Sequence, residues 1–215
     1  MRHFLIRIFN MIFGIFLHAV GIVITIKANI GYSPWDVLHS GIALKTGFSM
    51  GIASILTGLI IVIIVSILKE KLGVGTIANM VLIGLFIDLT FPYIPVTENT
   101  IIGIIMLITG LFIISVGSYL YLKSAFGAGP RDSLMVLVTR KTKLPVGLCR
   151  GAIELVVTLT GWLLGGLVGF GTAIFVVAIG FCIQIVFRLF RFDVAALKQE
   201  TLIDTYATIR SLRNT

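Results

Sequence analysis

Two stretches decide the fold: IKANIGYSPWDVL at residues 26–38 and LKSAFGAGPRDSL at residues 122–134. They align without a gap at an offset of 96 residues. The matched pairs are Lys27 and Lys123, Gly31 and Gly127, Pro34 and Pro130, and Asp36 and Asp132. The whole chain has 5 prolines. Matches of Pro, Asp and Lys at a single offset therefore indicate a duplicated unit.

The same offset relates the chain on both sides of these stretches. GVGT at 73–76 falls on GFGT at 169–172. The matched glycines are Gly14 and Gly110, Gly21 and Gly117, Gly51 and Gly147, and Gly84 and Gly180. We therefore expect an N-terminal unit at residues 1–96, a second unit at 97–191 and a polar, partly helical tail at 192–215.

The composition predicts an all-α integral membrane protein. Hydrophobic residues make up 58% of the 215 residues, charged residues 12%, and the mean hydropathy is +1.11. Soluble domains carry about a quarter charged residues. Apolar runs lie at about 4–26, 50–68, 74–93, 100–122, 147–164 and 172–190. Each is close to the ~20 residues that cross a bilayer, which predicts six transmembrane helices. The first run has no signal-peptide cleavage site and is expected to remain as a membrane helix.

Basic residues alternate between connections and predict the orientation. They are concentrated before the first run, between the second and third, between the fourth and fifth, and after the sixth. The positive-inside rule then places both termini in the cytoplasm. Each unit crosses the membrane three times, so the second unit enters from the opposite face. The expected architecture is two inverted three-helix repeats, an arrangement typical of secondary transporters and shared by some channels.

Each repeat carries G-x-[SG]-P-x-D directly after its first helix. Glycine permits unusual backbone angles, proline fits the first helical turn, and aspartate there accepts free backbone N–H groups. The motif predicts a short half-helix or re-entrant segment whose positive N-terminal end faces a central site. Simple helix capping in an ordinary loop is the alternative, and the sequence leaves both open.

The candidate substrate- or ion-binding residues come from these motifs and from polar residues in the apolar runs. The motif residues are Gly31, Ser33, Pro34, Asp36, Gly127, Gly129, Pro130, Arg131 and Asp132, with Lys27 and Lys123 adding positive charge. Polar residues within membrane spans are often functional, which adds His18, Asp88 and Glu154. A packing role for His18, a water-facing Asp88 and a self-satisfied Arg150–Glu154 pair are the alternatives.

Several function classes lack support in the sequence. GVGT and GFGT are not followed by the GK[ST] of a phosphate-binding loop. The sequence shows no metal-ligand cluster and no nucleophile–base set, so no enzyme activity, cofactor or metal is expected. Cys149 and Cys182 have no CxxC spacing and are interpreted as core residues. The net charge of +8 comes from the connections and indicates topology rather than nucleic-acid binding.

The motifs GYSPWDVLHSG at 31–41 and GAGPRDSLM at 127–135, on six apolar runs, resemble those of the YczE/YyaS/YitT group of bacterial membrane proteins. The resemblance covers nearly the whole chain and is strongest to the YczE branch. The longer YitT branch adds a soluble C-terminal domain that this tail lacks. The resemblance implies the fold and a multi-pass location in the bacterial plasma membrane, and it supplies no substrate.

The sequence thus favours a secondary transporter of a small anionic or zwitterionic solute bound at the repeat interface. A passive channel of similar build and a non-transporting membrane accessory or scaffold protein are the alternatives. The expected partners are membrane lipid and a small-molecule solute, with no nucleic acid, and a homodimer stays open.

Overall fold

The computed structural model describes residues 2–193, 197 and 199–213, which form an all-α fold. The helices are α1 (Arg2–Lys27), α2 (Pro34–Thr46), α3 (Met50–Ile67), α4 (Val74–Thr90), α5 (Thr100–Lys123), α6 (Pro130–Thr142), α7 (Val146–Leu163), α8 (Phe170–Leu189) and α9 (Leu202–Arg213). The predicted half-helices are present as α2 and α6, each 13 residues long.

Five of these helices, α1, α3, α5, α7 and α8, are long and apolar enough to cross a membrane. The sixth predicted span corresponds to α4, which is apolar but has 17 residues. Many large apolar side chains on these helices point outward, among them Ile60, Leu159 and Phe181. Exposed apolar faces of this extent are suited to lipid rather than water. The chain is therefore a multi-pass membrane protein.

The offset of 96 residues recurs in the backbone. α2 and α6 begin at Pro34 and Pro130, and α3 and α7 begin at Met50 and Val146. Residues with positive φ recur at the same offset: Asn29 (55°) and Ala125 (60°), Gly31 (122°) and Gly127 (119°), Gly47 (77°) and Lys143 (59°), and Lys69 (60°) and Gly165 (99°). Both halves of the chain therefore turn at equivalent places.

The centre of the protein is a close antiparallel pair, α1 and α5. A methyl carbon added to Gly14 would lie 2.8 Å from the Gly117 carbonyl oxygen. One added to Gly21 would lie 2.9 Å from the Gly110 carbonyl oxygen. Residue numbers rise along α1 as they fall along α5, so the two helices run in opposite directions. Small residues allow this approach. α4 packs beside α1, and α8 packs beside α5.

The connections between helices gather at two opposite ends. End A contains residues 28–33, 91–99 and 164–169: the Thr97 amide donates to Lys27, and the Tyr32 amide donates to Leu167. End B contains 68–73 and 124–129, joined by the bond from the Gly75 amide to the Phe126 carbonyl (2.7 Å).

The tail is tied to end B. Arg7 on α1 forms a 2.6 Å ion pair with Glu200. Gln199 accepts a hydrogen bond from the Gly127 amide, and the Glu200 amide donates to Ala125. The described part of the tail is helical over α9, as expected. Residue 1 of the first unit and residues 194–196, 198 and 214–215 of the tail lie outside the described residues.

Candidate functional site

The connection before α6 runs alongside the first turns of α4 instead of staying at end B. A methyl carbon added to Gly75 would lie 3.0 Å from the Phe126 carbonyl oxygen. The Thr76 hydroxyl donates to the Ala128 carbonyl at 2.6 Å. A methyl carbon on Gly129 would lie 3.2 Å from the side-chain oxygen of Asn79. Each helical residue rises 1.5 Å, so α6 begins about one and a half turns inside end B.

The connection before α2 follows α8 in the same way. The Gly171 amide donates to the Ile30 carbonyl at 2.8 Å. A methyl carbon on Gly31 would lie 2.8 Å from the Thr172 amide nitrogen. The positive φ of Gly31 (122°) turns the chain at this point, a conformation that side-chain-bearing residues rarely adopt. α2 therefore starts inside end A, and the two short helices point their N-termini toward each other.

Trp35 and Arg131 are the side chains that meet between the two N-termini. The guanidinium carbon of Arg131 lies 4.9 Å from the centre of the Trp35 ring, a cation–π contact. Arg131 is partly buried and forms no hydrogen bond or ion pair with the residues that the structure describes. Helix N-termini add partial positive charge from their free N–H groups. This place is therefore suited to an anionic group.

Asp36 and His39 form a buried polar pair on the first two turns of α2. Their exposed fractions are 1% and 0%, and the Asp36 Oδ1 to His39 Nδ1 distance is 3.4 Å. The Ser33 hydroxyl donates to Asp36 Oδ2 and accepts from the Asp36 amide. Ser33, rather than Asp36, is thus the acceptor for the backbone N–H at this helix start. Nε2 of His39 has no hydrogen-bond partner.

The equivalent place on α6 is more open. Asp132 is exposed, whereas Asp36 is buried. Gly129 precedes α6 and offers no side-chain cap, and Met135 stands where the first half has His39. Asp132 is close enough to interact electrostatically with Arg131 and Arg150. The second half therefore supplies a cation and an accessible carboxylate but no histidine.

We refer to Trp35, Asp36, His39, Arg131 and Asp132 as the polar cluster. His18 and Glu154, both predicted from their position in membrane spans, lie near this cluster. His18 is 3.2 Å from the Ser118 hydroxyl and interacts electrostatically with Arg131 and Asp36. Glu154 accepts a 2.9 Å bond from Arg150, as the i, i+4 spacing predicted. Glu154 also interacts electrostatically with Arg131.

Three other predicted residues lie elsewhere, at helix ends. Lys27 stands over the Phe91 ring, 3.8 Å from its centre. Lys123 donates to the Tyr119 hydroxyl at 3.0 Å. Asp88 accepts from the Ser49 hydroxyl and from the Gly51 amide (2.8 Å), which joins α3 to α4. Each side chain has a local partner, and the structure does not bring them to the cluster.

Two residues of the cluster, Trp35 and His39, were not among the sequence-based candidates. The spacing D-x-x-H at 36–39 places the histidine one turn after the aspartate on the same helix face. The offset of 96 pairs Trp35 with Arg131. Both signals are present in the sequence. The ion pair between Arg140 and Glu70 (2.7 Å) had no such signal.

The two halves are closed to different extents around this cluster. At end A, a methyl carbon on Gly41 of α2 would lie 2.6 Å from the Gly161 carbonyl oxygen of α7. One on Gly161 would lie 2.5 Å from the Leu38 Cα, and one on Gly166 would lie 2.9 Å from the Ser40 hydroxyl. These backbone contacts seal α2 against α7.

The packing of α7 against α8, on the side of end B, is looser than the equivalent packing of α3 against α4. A methyl carbon on Gly84 would lie 2.5 Å from the Gly51 carbonyl oxygen, so α3 and α4 touch. The repeat counterparts Gly147 on α7 and Gly180 on α8 have no atom within 4 Å of such a carbon. At these positions the two halves thus share one sequence pattern but differ in packing.

These helices and their polar centre define a multi-pass, all-α membrane protein. Residues 5–188 match the family described as "Family of unknown function (DUF6198)". The chain belongs to this family.

Relatives occur in two bacteria. The chain is 35% identical over 173 residues to the "Uncharacterized membrane protein YczE" of Bacillus subtilis, covering 80% of each chain. It is 34% identical over 174 residues to an "Uncharacterized protein" of Haemophilus influenzae, covering 81% of this chain and 80% of the relative. The "Uncharacterized protein YyaS" of Bacillus subtilis is 29% identical over 167 residues, with 74% and 81% covered. No solved structure matches the chain. The predicted YczE/YyaS relationship is confirmed.

Proposed function

We propose that the protein is a secondary transporter of a small anionic or zwitterionic solute, bound between two inverted three-helix repeats. The observation that carries the proposal is the unpaired Arg131 guanidinium, stacked on Trp35 where α2 and α6 begin. In this proposal residues 1–96 and 97–191 are the repeats, and end B, with both termini, faces the cytoplasm.

The inverted arrangement has two supports that do not depend on charge counting. α1 and α5, the first helices of the two units, run antiparallel through their glycine contacts. Trp35 and Arg131 are repeat counterparts and touch each other. Two equivalent residues meet when they lie near the axis that relates the repeats. Binding sites of inverted-repeat transporters lie at such an interface, near the membrane midplane.

The chemistry of the cluster favours an anionic group on the solute. A guanidinium binds carboxylate, sulfate or phosphate through paired N–H donors. The N-termini of α2 and α6 add positive potential. The exposed carboxylate of Asp132 would accept an ammonium group on the same solute, which extends the class to zwitterions.

The unequal closure favours a transporter over a passive channel. A channel needs a continuous pathway, whereas the Gly41 and Gly161 contacts close the protein at end A. The packing of α7 against α8 is looser, since Gly147 and Gly180 have no neighbouring atom within 4 Å of an added methyl carbon. Tight packing on one side and loose packing on the other is compatible with alternating access, in which one repeat moves against the other.

The test is uptake into proteoliposomes containing the purified full chain. A panel of labelled solutes would include succinate, glutamate, alanine, betaine, sulfate and phosphate. We expect saturable uptake of at least one of them. Arg131→Gln should reduce that uptake at least about tenfold, because a charged hydrogen bond contributes ~1.5–3 kcal/mol. Arg140→Gln is the matched control, since Arg140 is exposed and paired with Glu70 outside the cluster.

Two results would reject the proposal. Non-saturable flux that persists in Arg131→Gln would indicate the channel. No uptake of any panel solute by a folded, monodisperse protein would favour the accessory role.

A further inference from the structure

Asp36 and His39 form a second polar feature that binding of an anion to Arg131 does not use. The imidazole is fully buried, and its Nε2 has no partner. Buried polar atoms are nearly always hydrogen-bonded, so each exception needs a reason. Asp36 Oδ1 faces Nδ1 at 3.4 Å, a long contact. Both ring nitrogens of His39 and the Oδ1 atom of Asp36 thus lack a good hydrogen bond.

We propose that the Asp36–His39 pair is a proton-binding site and that its proton is co-transported with the anionic solute. This inference rests on the proposed transport function. The proton comes from water at one face, binds the imidazole as the solute binds Arg131, and is returned to water at the other face. No covalent bond to the solute is formed.

The surroundings of the pair contain few other titratable groups. α1 contributes His18, and the connection before α2 contributes Tyr32. α6 contributes Arg131, which in turn interacts electrostatically with Glu154 of the Arg150–Glu154 pair on α7. Asp36 is therefore the carboxylate that directly faces His39.

Charge balance explains why an anion and a proton would travel together. The cluster and its neighbouring residues together hold three carboxylates, Asp36, Asp132 and Glu154, against the guanidiniums of Arg131 and Arg150. With neutral histidines they carry one net negative charge. An arriving anion would add a second negative charge in a low-dielectric region, where uncompensated charge is costly. A proton on His39 cancels that addition, so each ligand favours the binding of the other.

Packing gives the pair a way to change its exposure. The contacts of α2 with α7 at Gly41 and Gly161 bury His39 in the present arrangement. If α7 and α8 packed together near end B while α2 separated from α7 at end A, His39 would be exposed to water. Histidine changes charge near neutral pH, so exposure favours protonation and burial favours release. Met135 replaces histidine in the second repeat, so one proton per cycle is expected.

The proton site is tested by NMR of the full chain labelled with ¹⁵N in the histidine rings. The chain has 3 histidines, and His3→Gln and His18→Gln assign two signals, so His39 is observed unmutated. We expect His39 to become charged on acidification within the pH range in which the protein stays folded. Asp36→Asn should lower the midpoint by about one pH unit, a tenfold loss of proton affinity. Asp132→Asn, which lies apart from His39, should leave the midpoint unchanged.

A His39 signal that stays neutral throughout, or a midpoint that ignores Asp36→Asn, would overturn the proton site. This measurement uses no solute, so its failure is distinct from failure of the uptake screen.

Coupling is tested with proteoliposomes that contain the pH dye pyranine, exposed to sodium salts of the panel solutes. We expect acidification of the lumen together with uptake, and loss of acidification in His39→Gln. Uptake without acidification, or acidification that His39→Gln retains, would overturn coupling.

Discussion

Trp35 and Arg131 occupy equivalent positions in the two halves of the chain and contact each other, with the guanidinium carbon 4.9 Å from the ring centre. One half therefore supplies the aromatic platform and the other the cation. The contact holds the guanidinium in place without using any of its N–H donors. This leaves all of them for a ligand.

The platform has a measurable effect on ligand binding. Trp35→Ala should raise the KM for the transported solute roughly two- to thirtyfold, because a cation–π contact contributes ~0.5–2 kcal/mol. Trp35→Phe keeps a ring and should have a smaller effect. The matched control is Trp162→Ala, since Trp162 lies exposed on α7. Equal KM values for Trp35→Ala and the unmodified protein would show that Arg131 needs no platform.

The two motif aspartates should both be required as charges. We expect Asp132→Asn to abolish transport while the protein still inserts and purifies normally, and Asp36→Asn to behave similarly. Loss of a cap alone costs ~0.5–2 kcal/mol and would appear as lower thermal stability instead. Uptake and detergent melting curves separate the two effects. Full activity in both Asn variants would show that the carboxylates are structural.

The inverted topology is tested at two equivalent exposed lysines. Lys45 lies in the last turn of α2 near end A, and Lys141 is its counterpart in the last turn of α6 near end B. In a background with Cys149→Ser and Cys182→Ser, we expect Lys45→Cys to react with an impermeant maleimide from outside intact cells. Lys141→Cys should react only after the cells are opened. Labelling of both positions from one side contradicts the inverted repeat.

The seal between α2 and α7 should depend on glycine. A side chain at Gly161 would collide with the Leu38 backbone, so Gly161→Val should force α2 away from α7. Ser40 is buried on α2. We therefore expect Ser40→Cys to become reactive toward maleimide from end A in this variant. Gly147→Val is the matched control, because that position has free space around it. An unreactive Ser40→Cys in Gly161→Val would mean that the seal does not limit access.

Much of the fold followed from the sequence because glycine and proline fix the backbone where the chain turns. Gly31 and Gly127 take the positive φ that other residues avoid, and Pro34 and Pro130 start the short helices. The matched motifs therefore predicted a short helix after the first helix of each half, as α2 and α6 are.

The residues of the candidate site were harder to predict from the sequence than the fold. Lys27 and Lys123 were grouped with the motifs by nearness in sequence, yet each sits at a helix end beside an aromatic ring. The contact of Trp35 with Arg131 depends on where the two halves meet, which no pattern within one half reveals. The unequal packing had a partial signal in the sequence, because Gly41 and Gly161, which meet between α2 and α7, correspond to Leu137 and Val65 in the other half. The gap between α7 and α8 had none, because Gly147 and Gly180 match Gly51 and Gly84.

The unequal supply of polar groups has a genetic consequence. The half that carries Trp35 and His39 lacks the guanidinium, and the half that carries Arg131 lacks the imidazole. A gene cut in the connection at residues 91–99 would give two chains that must be produced together to restore the cluster. Two copies of either half alone would lack a required group. Neither half can therefore be replaced by a second copy of the other without loss of a group from the cluster.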